Sequence, residues 1–143
     1  MIIDHIGIVV KSVDKGIKHW EEVFQYRQMT EIVINSRQKV KVVFMSKKNS
    51  TTVKLIEPVD KFSPVYNFAK KGGGLHHLCF KCDNMNRELA RLGEMNLRIL
   101  TEPQPGEAFE NENIAFIYAK HGLNIELIET DKKAGQLDCC NEK

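Results

Sequence analysis

The sequence contains no apolar run that approaches the length of a membrane span, and its first residues enter a strand-like pattern without a charged and then apolar leader. It also lacks a stripe of one charge: 21 Lys and Arg residues are scattered among 19 Asp and Glu residues, and the net charge is +2. Membrane insertion and nucleic-acid binding are therefore not expected. We predict a cytoplasmic protein.

Cysteine is scarce, with four residues in a chain of 143. Cys79 and Cys82 form a C-x-x-C pair, but the pair lies in a strand-like run, whereas a redox pair needs a helix N-terminus. Alternation along a strand also directs these two thiols to opposite faces. Cys139 and Cys140 lie in the polar segment 132–143, whose low apolar content predicts a flexible C-terminal tail.

The chain repeats itself at an offset of 72 residues. The segment His5-Ile-Gly-Ile-Val-Val aligns with His77-Leu-Cys-Phe-Lys-Cys, and Val53-Lys54-Leu55-Ile56-Glu57 aligns with Ile125-Glu126-Leu127-Ile128-Glu129. A duplication that pairs its halves brings equivalent positions together near a pseudo-twofold axis, so His5, Lys54, His77 and Glu126 are candidates for one shared site. Two imidazoles and a carboxylate are typical ligands of a divalent metal ion.

Each half is predicted to fold as β-α-β-β-β, which makes the fold class α+β. The predicted strands span 2–10, 29–34, 40–45 and 51–56 in the first half and 75–81, 97–101, 113–119 and 123–129 in the second. Amphipathic helices that contain Trp20 and Leu92 follow the first strand of each half. At this length we expect a single domain over residues 1–131, made of module one (1–60), a linker helix (61–74) and module two (75–131).

The four repeat-related polar residues fall on one face of the predicted sheet. Ile6 and Ile8 meet the helix that follows, so the period of two places His5 on the opposite face, and the same count holds for the other three positions. A curved sheet can enclose a ligand on such a face. A single strand histidine is more often structural, but four coincidences at one offset favour a site. The same alternation puts His76 on the helix side, and we interpret it as a structural histidine.

Four segments carry a resemblance to a known family: Asp4 to Val10, Leu55 to Pro58, Gly74 to Leu78 and Ile125 to Leu127. They resemble the vicinal oxygen chelate superfamily of glyoxalases, bleomycin-resistance proteins and dioxygenases, and within it the methylmalonyl-CoA epimerases and bacterial glyoxalase I-like proteins. The resemblance covers about residues 1–130. It implies two paired βαβββ modules that form a curved mixed sheet around a central cavity. It also implies a divalent metal ion (Co, Ni, Zn, Mn or Fe) held by His5, His77, Glu126 and a Glu or Gln of the fourth strand.

At the position of that fourth ligand the chain has Lys54, whose ammonium offers no lone pair to a metal ion. Three outcomes stay open. The metal stays on His5, His77 and Glu126 while Lys54 binds a substrate acid group; or Lys54 pairs with Glu126 in a metal-free site; or the protein is a non-catalytic, resistance-type binding module. Family epimerases also carry an acidic residue on the third strand, and the nearest, loosely matching position here is Lys41.

The interpretation that we favour is an isomerase or lyase of the methylmalonyl-CoA epimerase or lactoylglutathione lyase type, which transfers a proton next to a carbonyl. Under it, His5, His77 and Glu126 hold the metal, Glu126 is also the mobile base, and Lys54 stabilises the intermediate or a substrate acid group. The expected partner is a small acidic or thioester substrate. Exposed strand edges are compatible with a homodimer.

Overall fold

The computed structural model describes residues 1–138 of the chain. Its elements repeat one pattern twice, with a short linker helix between the copies. The first copy contains β1 (Ile2–Val9), α1 (Val13–Phe24), β2 (Arg27–Gln28), β3 (Val33–Asn35), β4 (Val40–Ser46) and β5 (Thr52–Pro58), and α2 (Tyr66–Lys70) follows it. The second copy contains β6 (Gly74–Lys81), α3 (Met85–Glu94), β7 (Arg98–Gly106), β8 (Glu112–Ala119) and β9 (Leu123–Ile128).

All nine strands belong to one mixed sheet with the order β2-β4-β5-β1-β6-β9-β8-β7, and β3 pairs with β4. The strands β1 and β6 lie antiparallel at the centre. Each has the last strand of its own module as a parallel neighbour, β5 beside β1 and β9 beside β6. This arrangement relates the two modules by a pseudo-twofold axis between β1 and β6. The predicted α+β class and the duplicated mixed sheet are confirmed.

Two predicted elements differ from the structure. Of the expected strand 29–34, only Val33 and Ile34 are in a strand, β3, and β2 lies before the expected range. The Thr30 hydroxyl accepts the Phe44 N–H and so interrupts the backbone ladder with β4. The expected loop after residue 101 is instead the second part of β7, which continues to Gly106 with shifts of register against β8. β7 tolerates its prolines because it is an edge strand, in which only one side of the backbone pairs with a neighbouring strand, so a missing N–H donor on the other side breaks no ladder hydrogen bond.

The helices α1 and α3 cover one face of the sheet, as predicted. Ser12 and Asn84 cap their first turns, since each side chain accepts a hydrogen bond from the backbone N–H three residues later. α1 buries Val13 and Ile17 and carries a half-buried Trp20, and α3 buries Met85, Leu89 and Leu92. The opposite face carries a third cluster, which draws residues from both modules. The candidate site lies on this second face.

The C-terminal segment differs from the predicted flexible tail. Residues 132–137 pack against the body: the Ala134 N–H donates to the carbonyl of Ala108, the Leu137 N–H donates to that of Met29, and the Lys133 side chain is buried. Backbone hydrogen bonds and an ion pair hold this segment, so its low apolar content did not predict whether it packs against the body. Cys139 and Cys140 lie outside the described residues. Within residues 1–138, none of the helices has the length and apolarity needed to cross a bilayer.

Candidate functional site

The four residues that the repeat singled out lie together in the structure. His5, Lys54, His77 and Glu126 are all at most 2% exposed. The Oε1 atom of Glu126 is 3.1 Å from His5 Nε2 and 3.3 Å from His77 Nε2, and the two Nε2 atoms are 3.4 Å apart. The Lys54 ammonium lies 3.9 Å from the other carboxylate oxygen, Oε2. The four side chains therefore form one buried cluster.

The central strands bring these side chains together. His5 and His77 belong to the antiparallel pair β1 and β6, and Lys54 and Glu126 belong to the parallel strands that flank this pair. Gly7 lies opposite His77, and a Cβ atom at Gly7 would be only 2.2 Å from His77 Cε1. The imidazole of His77 thus occupies the volume that any other residue at position 7 would need.

Two β-bulges bring a further pair of residues into the site. The register between β1 and β6 shifts at Asp4 and again at His76, so each of these residues has no partner opposite it. Asp4 Oδ2 is 2.7 Å from His5 Nδ1, and His76 Nδ1 is 2.8 Å from His77 Nδ1. His76 also lines the cavity described below. The assignment of His76 to the helix side was wrong, because the bulge breaks the alternation.

The contact with Asp4 assigns the tautomer of His5. The His5 Nδ1–H donates to the Asp4 carboxylate. Burial lowers the pKa of His76 to about 4, so His76 is neutral near pH 7, and its Nδ1 shares one hydrogen bond with the Nδ1 of His77. The Nε2 atoms of His5 and His77 both face Glu126 Oε1. Neither carboxylate oxygen of Glu126 receives a geometrically acceptable hydrogen bond from the described residues.

Three lone-pair atoms in close contact fit a divalent metal ion. Bonds of about 2.1 Å place neighbouring ligand atoms about 3.0 Å apart in octahedral and about 3.4 Å apart in tetrahedral geometry. The three observed separations of 3.1, 3.3 and 3.4 Å lie in this range. His5, His77 and Glu126 therefore match a two-histidine, one-carboxylate metal site. The Lys54 ammonium stands beside it, 3.9 Å from Glu126 Oε2.

Charge keeps the Glu126 carboxylate ionised. Burial alone would raise its pKa, but the Lys54 ammonium and the contacts with His5 and His77 hold the pKa of Glu126 well below its ordinary value. The same burial lowers the pKa of His77, so its imidazole favours the neutral form that a metal ion needs. Burial raises the pKa of Cys79, which lies near Asp4 and His5, so this thiol stays protonated.

A cavity of about 360 Å³ opens onto the cluster. Lys54, His76 and His77 supply polar groups to its wall, the apolar wall includes Val42, Ile56 and Phe116, and Arg37 lies at its exposed margin. His5 and Glu126 lie behind this wall and do not line the cavity. A small ligand would therefore meet Lys54 and His77 first.

Lys41 does not belong to the site. Its ammonium lies 3.5 Å from Glu57 Oε2, and the other oxygen of Glu57 accepts the Val13 N–H at the start of α1. Lys41 therefore faces the helices, and the loose assignment of this position to a proton-transfer group was wrong.

Lys133 is a site neighbour that sequence reasoning missed. Its ammonium lies 3.1 Å from Asp4 Oδ2 and 3.2 Å from Oδ1, behind His5. Composition could not reveal this contact because it joins residues 129 positions apart. Asp4 could have been found, since Asp4 and His76 are themselves related by the 72-residue repeat.

Two βαβββ modules that share one sheet, with a His-His-Glu cluster beside their pseudo-twofold axis, define a duplicated glyoxalase-type fold. The family model of the Glyoxalase/Bleomycin resistance protein/Dioxygenase superfamily matches residues 4–116. The chain belongs to this superfamily.

Individual relatives refine the comparison. The uncharacterized protein YqjC of Bacillus subtilis is 33% identical over 130 residues, which cover 89% of this chain and 91% of YqjC. Human mitochondrial methylmalonyl-CoA epimerase is 30% identical over 87% of this chain and 72% of its own length. A variant of Streptomyces coelicolor methylmalonyl-CoA epimerase, solved in complex with 2-nitronate-propionyl-CoA, superimposes with a TM-score of 0.80 at 25% identity and covers 92% of this chain and 98% of that one.

Proposed function

We propose that this protein is an isomerase of the methylmalonyl-CoA epimerase type, which removes and returns the proton on the carbon next to the carbonyl of an acidic thioester. The observation that carries the proposal is the cluster of His5, His77, Glu126 and Lys54, of which His77 and Lys54 line the cavity. Homology to methylmalonyl-CoA epimerases supports the reaction class.

His5, His77 and Glu126 would hold the divalent metal ion, and the ion would stabilise the negative charge that develops on the carbonyl oxygen. Asp4 fixes the tautomer of His5 that leaves its Nε2 available to the ion, and His76 contacts His77 through Nδ1. Lys54 is the one fully charged side chain of the cluster that reaches the cavity wall. It binds the carboxylate of the substrate or the enolate oxygen.

Glu126 is the base in this proposal. Its low pKa keeps the carboxylate ionised across the neutral range, but it also makes Glu126 a weak base. A weak base suffices where cationic groups strongly stabilise the enolate. The α-proton moves to a carboxylate oxygen of Glu126, and the Lys54 ammonium returns a proton to the opposite face of the same carbon. The protonated Glu126 then gives its proton back to the Lys54 amine 3.9 Å away, so the reaction inverts configuration and leaves the bonds of the thioester unchanged.

The charge and shape of the site suit an acidic acyl thioester. Apolar residues on the cavity wall accommodate an alkyl branch, while Lys54 offers a positive charge to the acid group. The methylmalonyl-CoA named for the relatives combines these features. A cytoplasmic location and a homodimer stay predictions.

The test uses methylmalonyl-CoA in D₂O, because mass spectrometry then reports proton transfer even if configuration is not followed. We expect enzyme-dependent deuterium incorporation at the α-carbon, and a large loss of it in Glu126→Gln and Lys54→Met. Lys41→Met is the matched control, since Lys41 faces the helices, and it should exchange like the parent. Tight binding of the thioester without any exchange would contradict the proposal and favour the binding module.

A metal-free enzyme is the second candidate, and one observation favours it. The buried ammonium groups of Lys54 and Lys133 already balance the buried carboxylate of Glu126 and the partly buried carboxylate of Asp4. A divalent ion would add two positive charges to this neutral set. Elemental analysis of protein purified without a chelating tag separates the two candidates. Full exchange activity in protein that contains less than one equivalent of metal and resists chelators would establish the metal-free mechanism.

A further inference from the structure

Lys133 is a buried lysine that the proposed reaction does not use. Its side chain is 4% exposed, and both oxygens of Asp4 lie within 3.2 Å of its ammonium. The rings of Phe44 and Phe109 flank this ammonium at 5.2 and 5.5 Å. The same rings pack against the His5 imidazole. A buried lysine with both an ion pair and two aromatic contacts is held in a defined position.

The segment that delivers Lys133 is fixed on both sides of this residue. The Ala134 N–H donates to Ala108, the carbonyl of Gly135 accepts the Glu31 N–H, and a β-bridge joins Gln136 to Thr30. These contacts attach residues 132–137 to the turn before β3 and to the segment after β7. The chain thus returns to the site after its last strand.

We propose that residues 132–137 form a strap that completes the site, with Lys133 as a positioning residue. The Lys133 ammonium fixes the Asp4 carboxylate, Asp4 fixes the Nδ1–H tautomer of His5, and the His5 Nε2 lone pair is thereby directed at Glu126. The positioning role rests on the proposed function for its metal readout, whereas the tautomer of His5 can be measured without any metal.

A simple counter-charge would behave differently from a positioning residue. If Lys133 only neutralised Asp4, its removal would take a positive charge away from the site, and the affinity for a divalent cation would rise. If Lys133 positions Asp4 and His5, its removal lets the Asp4 carboxylate turn towards solvent and the His5 ring lose its fixed tautomer. The affinity would then fall, by about 10- to 100-fold, which is the usual effect of losing an outer-shell partner.

The first experiment records the histidine side-chain ¹H–¹⁵N spectrum of metal-free, full-length protein near pH 7. The parent should show a single Nδ1–H tautomer for His5, assigned with a His5→Gln variant. Lys133→Met should lose this tautomer, and Lys133→Arg should keep it because the guanidinium also pairs with Asp4. Lys132→Met is the matched control, since Lys132 is next to Lys133 in the sequence but its ammonium is exposed and pairs with Glu112.

A second variant covers the case in which Lys133→Met does not fold. Gly135 has a φ of +69°, and a Cβ atom there would be 3.2 Å from the Glu31 side chain. Gly135→Val should therefore detach the strap while Lys133 remains in the chain. It should lose the His5 tautomer in the same way. A His5 signal that is unchanged in the folded variants would overturn the proposal.

The second experiment measures Co²⁺ and Zn²⁺ affinity by competition with a chromophoric chelator. Weaker binding by Lys133→Met, with Lys133→Arg and Lys132→Met like the parent, supports the strap. Equal or tighter binding by Lys133→Met shows that Lys133 is only a counter-charge. If the parent binds neither ion, the metal-dependent function fails, and the spectrum of His5 still decides whether the strap positions this residue.

Discussion

Replacement of Lys54 by glutamate tests the metal site most directly. The Lys54→Glu variant removes the ammonium that lies 3.9 Å from Glu126 Oε2 and puts a carboxylate at the position where the resemblance implies a fourth ligand. At this distance, the lost attraction amounts to about 4 kcal/mol for an effective dielectric constant of about 20. The two buried carboxylates would also repel each other, but one of them can take up a proton and limit that cost.

We therefore expect the free energy of unfolding in chelator to fall by about 3–5 kcal/mol, the usual result of breaking a buried ion pair. For a chain of this size, the melting temperature should fall by roughly 10 °C. Addition of Zn²⁺, Ni²⁺ or Co²⁺ at 100 times its dissociation constant should return about 2.7 kcal/mol. The gain arises because the second carboxylate becomes a ligand.

Thermal unfolding with and without metal measures both effects. Lys54→Met is the control for the loss of charge alone, because it destabilises the protein without adding a ligand, so its metal response should stay smaller than that of Lys54→Glu. Lys41→Met is the surface control, with an expected change of about 0–1 kcal/mol. A Lys54→Glu variant that melts like the parent and ignores all three ions would refute the assigned position of Lys54.

Three further predictions concern the surroundings of the site. Burial lowers the pKa of His76 to about 4, so the folded state disfavours protonation of this imidazole. The contribution of neutral His76 to the free energy of unfolding is fully present above pH 6.5, and about 3 kcal/mol of it is lost towards pH 4. Urea unfolding should show a smaller loss over this pH range in His76→Gln. Gly7→Ala should displace the His77 ring and abolish metal binding in a chelator competition, whereas Gly93→Ala, which has open space around it, should stabilise the protein by about 0.5–1 kcal/mol. Trp20→Ala should cost only about 2 kcal/mol in urea unfolding, because the indole is half-buried; no loss at all would show that it does not stabilise α1.

Most of the site followed from alternation and the repeat. The period of two is unbroken through β5 and β9, so Lys54 and Glu126 could be placed on the correct face from their apolar neighbours alone. The helix positions of Trp20 and Leu92 followed from the helical period in the same way.

The remaining features could not be read from local patterns. A bulge inserts one unpaired residue and reverses the parity of everything before it, which is why His76 was placed on the wrong face. Thr30 divides a predicted strand through a side-chain hydrogen bond that depends on the tertiary position of β4. Lys133 is buried by an ion pair with a residue near the other end of the chain. Each of these three outcomes depends on a partner that lies far away in the sequence or on the opposite strand.

The bulge residues of the two central strands occupy equivalent positions of the repeat but differ in chemistry, and this difference has an evolutionary consequence. A homodimer of identical single modules would be bound by exact rotational symmetry, so the same residue would stand behind both ligand histidines. Fusion of the two modules into one gene removes this constraint, and here the carboxylate of Asp4 stands behind His5 while the neutral imidazole of His76 stands behind His77. Selection can then act on the two histidines separately, so that the anionic Asp4 makes His5 the stronger electron donor while His77 lines the cavity.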